Sequence, residues 1–188
     1  PTSICHAGGQ SMKPELRLVL LLAAFVAGST AAGSPAAFAQ SSHYPRMQSL
    51  TPSDIVFRQI QDAVSQGYKA ESSGSAWPDF FIASWLSTGN EDLFSLAARL
   101  ALPYETLAGL NGIAKPGPIA SGVVMLVPSM AGLFVPDKPE SDMDLLLAAR
   151  LASESRSVIR VQVRRGGSVG LYSFYPGARL YATERSFF

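Results

Sequence analysis

The chain has 188 residues, a formal charge of +1, one cysteine and two histidines. So balanced a charge gives no electrostatic basis for binding nucleic acid or anionic lipid, both of which call for a basic surface. So few histidines and cysteines leave no convincing zinc ligand set and no Ser-His-Asp or Cys-His pairing, so a binding role is expected before a catalytic one.

Residues 1–11 precede Met12 and are expected to be an upstream artefact. From Met12 the chain reads as a secretory leader: Lys13 and Arg17, then the apolar run Leu18–Ala27, then small residues ending in Ala37-Phe38-Ala39 before Gln40. The ten residues of that run are about half of the roughly 20 that a spanning helix requires. Cleavage after residue 39 is therefore expected, with no membrane anchor left and no cysteine at the end of the run for lipid attachment. The expected location is periplasmic or extracellular. Residues 40–188 carry equal numbers of basic and acidic side chains and no cysteine, so their shape must rest on burial without disulfides. His43, in the polar stretch Ser41–Arg46, reads as a solvated linker residue.

Residues 40–53, with Pro45 and Pro52, read as a flexible polar arm. A helix starts near Asp54, with Ile55, Val56, Ile60, Ala63 and Val64 at helical spacing and Gly67 as its stop. Residues 71–76 have linker composition, which places an arm, short helix and linker over 40–79. Phe80 to about Ser87 is apolar and aromatic enough to be a strand, and Gly89-Asn90-Glu91 a turn. Asp92 then caps a helix in which Leu93, Leu96, Ala97 and Leu100 form one inward stripe and Arg99 faces away. Pro103 opens a second short helix that buries Leu107 and Leu110, and Asn111-Gly112 stops it. After the rigid loop Lys115–Pro118, Val123–Val127 forms a second strand closed by Pro128.

Farther on, 137–142 is polar, Leu145–Leu151 is helical, and Val158–Arg165 and Val169–Phe174 alternate as a hairpin turning at Gly166-Gly167. Tyr175-Pro-Gly177 breaks the structure, and Thr183 reads as the cap of a helix cut short at Phe188. Leu-Ala-Ala-Arg-Leu-Ala occurs at 96–101 and again at 147–152. No Asn-Gly stop or Val-Pro strand follows the second copy, so shared helix-forming composition explains it better than a tandem repeat. The fold class read from these elements is α+β: a strand–helix–helix–strand unit over 80–130, a flanking helix before it, and a helix plus β-hairpin over 131–188.

Residues 90–128 resemble a lysin-motif (LysM) domain. The family's opening Gly-Asp-Thr-Leu and following Ile-Ala are matched by Asn90-Glu-Asp-Leu93 and Leu96-Ala97. Its Leu-x-x-x-Asn-Gly-Ile ending is matched by Leu107 through Asn111-Gly-Ile113, and its return strand by Gly122…Met125-Leu-Val127-Pro128. Asn90 stands where the family has Gly, and Ser87 where its first strand has an apolar residue. The resemblance implies non-catalytic binding of an N-acetylglucosamine-containing glycan, peptidoglycan or chitin, without a cofactor. The groove would lie between a wall of Asn90, Glu91, Asp92, Leu93 and Phe94 and a wall of Asn111, Gly112, Ile113 and Ala114. Each residue also has a structural use: Asp92 as a cap, Leu93 as core, Asn111 and Gly112 as helix terminators. Phe94, one place off the buried stripe, is the best exposed contact. The flanks, Pro128–Pro136 and Tyr175–Phe188, resemble the amino-terminal part of exported lysostaphin-type zinc endopeptidases. That likeness implies a targeting half whose peptidase domain is not in this chain, so no hydrolysis is expected from residues 40–188. A third expectation is a LysM-like interaction module that has lost sugar binding.

Overall fold

The computed structural model describes residues 43–139, 141–154 and 156–180. The leader over 12–39 and the helix start at Thr183 lie outside the described residues. The protein is mixed α and β, with four helices and two small sheets among the described residues. In chain order these are β1 (Arg46–Met47), α1 (Ile55–Ser73), β2 (Ile82–Leu86), α2 (Leu93–Leu100), α3 (Tyr104–Asn111), β3 (Val124–Pro128), β4 (Gly132–Pro136), α4 (Asp142–Ser153), β5 (Ile159–Arg165) and β6 (Ser168–Pro176). No described helix is long and apolar enough to cross a membrane.

The first sheet has the order β1-β2-β3, with β1 parallel to β2 and β3 antiparallel to it in the register Ser84 opposite Leu126. The expected arm is thus partly a strand: Met47 and Leu50 are buried, and Ser84 N donates to Pro45 O. Asp54 explains why so polar a stretch is held. Its carboxylate accepts from Phe57 N as the α1 cap and, in the same position, from Gln48 N at 2.6 Å and Ser49 N at 3.1 Å. One side chain therefore fastens the arm to the helix. Burial pushes its pKa up, but these backbone donors outweigh that and hold it below the ordinary 3.8.

Helix α1 is longer than its sequence implied. It runs through Gly67 and ends at Gly74, which takes the left-handed conformation, so half of the expected linker is helical. Gly67 serves close approach rather than termination: a Cβ there would sit 3.3 Å from the Met130 Cβ. The buried stripe is Phe57, Ile60, Val64, Gly67 and Ala70, whereas Ile55 is exposed. Helices α2 and α3 follow expectation closely. A capping box joins Asp92 and Ser95, and Leu93, Leu96, Ala97 and Leu100 are all buried. Pro103 sits at the α3 cap position, one residue outside the helix. Between them Ala101 adopts φ 54°, the one left-handed non-glycine conformation among the described residues.

The strands β2 and β3 are covered on both faces, which follows from their near-continuous apolar sequence. Ala83, Trp85, Met125 and Val127 face one core with α1, α2 and Leu107. Ile82 and Leu126 face a second core, together with Leu110, Phe134, Val161, Val163 and Phe174. That second core is made with the other sheet, of order β4-β6-β5, in which β6 pairs antiparallel with both neighbours. Packing therefore crosses the expected boundary at residue 130. The hairpin turning at Gly166-Gly167 forms as read, but its second strand continues through Tyr175 and Pro176, where a break was expected, because β4, which was not expected, pairs with them. The opposite face of the second sheet carries Leu133, Val135 and Tyr175 beneath Leu147 and Leu151 of α4. Both copies of Leu-Ala-Ala-Arg-Leu-Ala thus lie on helices and use the same face: Leu100 and Leu151, the equivalent leucines, are both buried.

Candidate functional site

The two loops named by the sequence are joined edge to edge. Leu93 N donates to Gly117 O at 3.1 Å, and Ile119 N donates to Glu91 O at 2.9 Å, which makes an antiparallel bridge between Asp92 and Pro118. The β2–α2 loop and the α3–β3 loop accordingly form one rim. Ser87 is a buried part of it. Its hydroxyl donates to Ile119 O at 3.3 Å and accepts from Gly89 N at 3.1 Å, tasks an apolar residue cannot perform.

On the first loop Asn90, Asp92 and Phe94 are exposed and Glu91 is half-buried. Glu91 accepts from the Thr88 hydroxyl, and Asp92 accepts from Ser95 N at 2.8 Å as the α2 cap. Leu93 is fully buried in the first core, so its side chain is unavailable to a ligand. Held there by the inward stripe of α2, Leu93 has only its backbone to present at this loop. Phe94 is 54% exposed and packs against Tyr104 at the start of α3, with ring centroids 5.1 Å apart and planes inclined at 58°. An exposed aromatic surface therefore sits at the paired amino-terminal ends of the two short helices.

On the second loop Gly112 and Ala114 are exposed, and Asn111 and Ile113 are half-buried. Gly112 takes φ 66° at the end of α3, where glycine avoids the Cβ penalty. Ile113 packs on the first core, and its N–H donates to Ala108 O. Asn111 does more than end a helix. Its Nδ2 donates to Leu107 O and to Leu126 O, and its Oδ1 accepts from Leu126 N, each at 2.8 Å. The amide pairs with both backbone groups of Leu126 on the side of β3 away from β2, as a neighbouring strand would. Asn111 is thus a clamp that fixes where the second loop begins, and its side chain is committed to that role.

Arg165, at the end of β5, is a residue that sequence reasoning missed. A Cβ built on Gly112 would fall 2.5 Å from Arg165 Nη1, so the guanidinium lies against the wall of the second loop. No local signal near Arg165 announces this, because it depends on the second sheet packing beneath α3. An open groove lies elsewhere. It has a volume of about 440 Å³, is lined by Gln61, Val64, Ser65, Tyr68, Lys69, Ser72 and Ala101, and includes none of the sequence-predicted residues. Comparison with family models, curated proteins and solved structures finds no match to this chain.

Proposed function

We propose that the protein binds an N-acetylglucosamine-containing cell-wall glycan, peptidoglycan foremost, through the rim formed by the two bridged loops, without catalysis or a cofactor. The observation that supports this is the pairing of Glu91 and Leu93 with Ile119 and Gly117, which ties the segment carrying exposed Asn90 and Phe94 to the same loop that opens with the 112–114 turn. Saccharides are bound through two kinds of contact, apolar faces for the sugar ring and methyl groups, and fixed hydrogen-bonding groups for hydroxyls and amides. Phe94 supplies an aromatic face. The backbone around Gly112 and Ala114, with the Asn90 side chain, supplies donors and acceptors on chain segments that the Asn111 clamp and the loop bridge hold in place. The LysM-like order of elements, strand β2, helices α2 and α3, strand β3, supports the same reading. Export ahead of binding is part of the proposal, based on the leader-like sequence of residues 12–39.

Retention of the whole chain on purified peptidoglycan tests it. The wild-type protein is expected to sediment with the wall, and Phe94→Ala to lose most of that retention while keeping its circular dichroism spectrum. Wild-type protein left wholly in the supernatant would defeat the proposal and favour an interaction module without sugar binding.

A further inference from the structure

We infer that Arg165 provides a carboxylate-binding subsite at the edge of the saccharide groove, so that the protein distinguishes an acidic glycan from a neutral one. This subsite rests on the glycan reading above and deepens it. Three observations carry it. The guanidinium is held in one place: Nη2 donates to Tyr172 Oη at 2.6 Å, and Cζ lies 5.9 Å from the centre of the Tyr172 ring. Its Nη1 end is directed at Gly112, in the turn that walls the groove. No carboxylate among the described residues is within salt-bridge distance of it, although Arg150, Arg156, Arg160 and Arg179 each have one.

A guanidinium has five N–H donors in a planar fork that matches a carboxylate through two parallel hydrogen bonds. One hydrogen bond to Tyr172 Oη leaves the Nη1 end for such a partner. The carbonyl end of α3 also favours a cation at this position, which accounts for its placement but leaves the fork unfilled. Lys115, three residues after Gly112, is exposed and adds positive charge to the same loop. Chitin-type chains carry only neutral acetamido sugars. Peptidoglycan carries carboxylates, either on the lactyl ether of its second sugar or on the peptide attached there.

The test is a calorimetric titration of the whole chain, wild type and Arg165→Gln, with three ligands. These are chitotetraose, a glycan strand stripped of peptide so that its lactyl carboxylates are free, and a muropeptide whose carboxylates lie on the peptide. Wild-type protein is expected to bind at least one acidic ligand about tenfold or more tightly than chitotetraose, with the advantage shrinking as salt is raised. Arg165→Gln is expected to abolish that advantage and leave the chitotetraose affinity unchanged, and Arg165→Lys to keep part of it. The ligand that loses affinity identifies the source of the carboxylate. Equal losses for neutral and acidic ligands would overturn the inference, since they would make Arg165 a support for Gly112 alone. Equal wild-type affinity for all three would overturn it as well, with the groove itself intact. Failure of wild-type protein to bind any of the three would instead remove the groove, and the subsite with it.

Discussion

Replacing Asn111 by Ala removes three hydrogen bonds at once, to Leu107 O, Leu126 O and Leu126 N. Leu126 is 3% exposed, so water cannot readily replace the lost partner of its backbone N–H and C=O. A buried donor or acceptor left without a partner costs about 1–3 kcal/mol, and an ordinary hydrogen bond nets about 0.5–1.5 kcal/mol. One stranded N–H plus weakened carbonyls therefore gives a destabilisation of about 2–4 kcal/mol. For a domain of this size that lowers Tm by roughly 5–15 °C. Urea unfolding followed by tryptophan fluorescence measures it, with Trp85 in the first core as a reporter. Asn111→Asp sharpens the test, because it keeps the acceptor for Leu126 N but turns a second oxygen towards two carbonyls. That repulsion raises the carboxyl pKa in the folded state above its unfolded value. The penalty is then present above the folded pKa and is relieved as pH falls through it, when the protonated oxygen again donates. If Asn111→Ala lies within about 0.5 kcal/mol of wild type, or Asn111→Asp shows no relief in acid, the clamp is not what fixes the second loop.

Gly132→Ala should destabilise by about 1–3 kcal/mol, as overpacking does, because the added Cβ would meet Tyr175 O and lie 2.6 Å from Phe174 Cε2; thermal unfolding measures it, and an unchanged Tm would refute the close packing of β4 on β6. Leu96→Ala should cost about 2–5 kcal/mol from cavity formation, since Leu96 is fully buried, whereas Phe94→Ala, at an exposed position, should change stability by no more than about 1 kcal/mol. Asp54 makes stability pH-dependent: its folded pKa lies below 3.8, so its contribution is full above the unfolded value and is lost as pH falls through the folded one. Asp54→Asn should therefore flatten the acid limb of a stability–pH profile below about pH 4, and an unaltered limb would count against the triple-acceptor role. Tyr68 behaves oppositely: burial raises its pKa above 10.0 although nearby Arg179 lowers it, and its hydroxyl donates to Ala101 O at 2.8 Å. That contribution is expected to be present below pH 10 and to fade as pH rises through the folded pKa, a loss absent from Tyr68→Phe.

The elements with strong local signals were legible in the sequence. The stripe of α2, its Asp92 cap, the Gly112 terminator and the Gly166-Gly167 hairpin are each set by residues within one or two turns of each other. What escaped was set by distant partners. Gly67 has the look of a helix stop until Met130 is seen to fill the space its missing side chain leaves. The arm is polar in sequence, yet the Asp54 carboxylate gathers Gln48 and Ser49 into the start of α1. Strand β4 exists because β6 lies beside it, and its five residues, the last of them Pro136, carry no alternation strong enough to reveal it. At the site, the loops and the exposure of Phe94 followed from helix periodicity. The burial of Leu93 followed too. The clamp by Asn111 and the approach of Arg165 needed the register of β3 and the packing of the second sheet, neither of which any local pattern encodes.

Backbone amide NMR of the whole chain during titration with a chito-oligosaccharide tests the central proposal most directly. Saturable shifts are expected for Asn90 to Phe94 and for Gly112 to Ile119, with α4 unmoved. No saturable shift at millimolar ligand, or shifts confined to the Gln61–Ala101 groove, would contradict it.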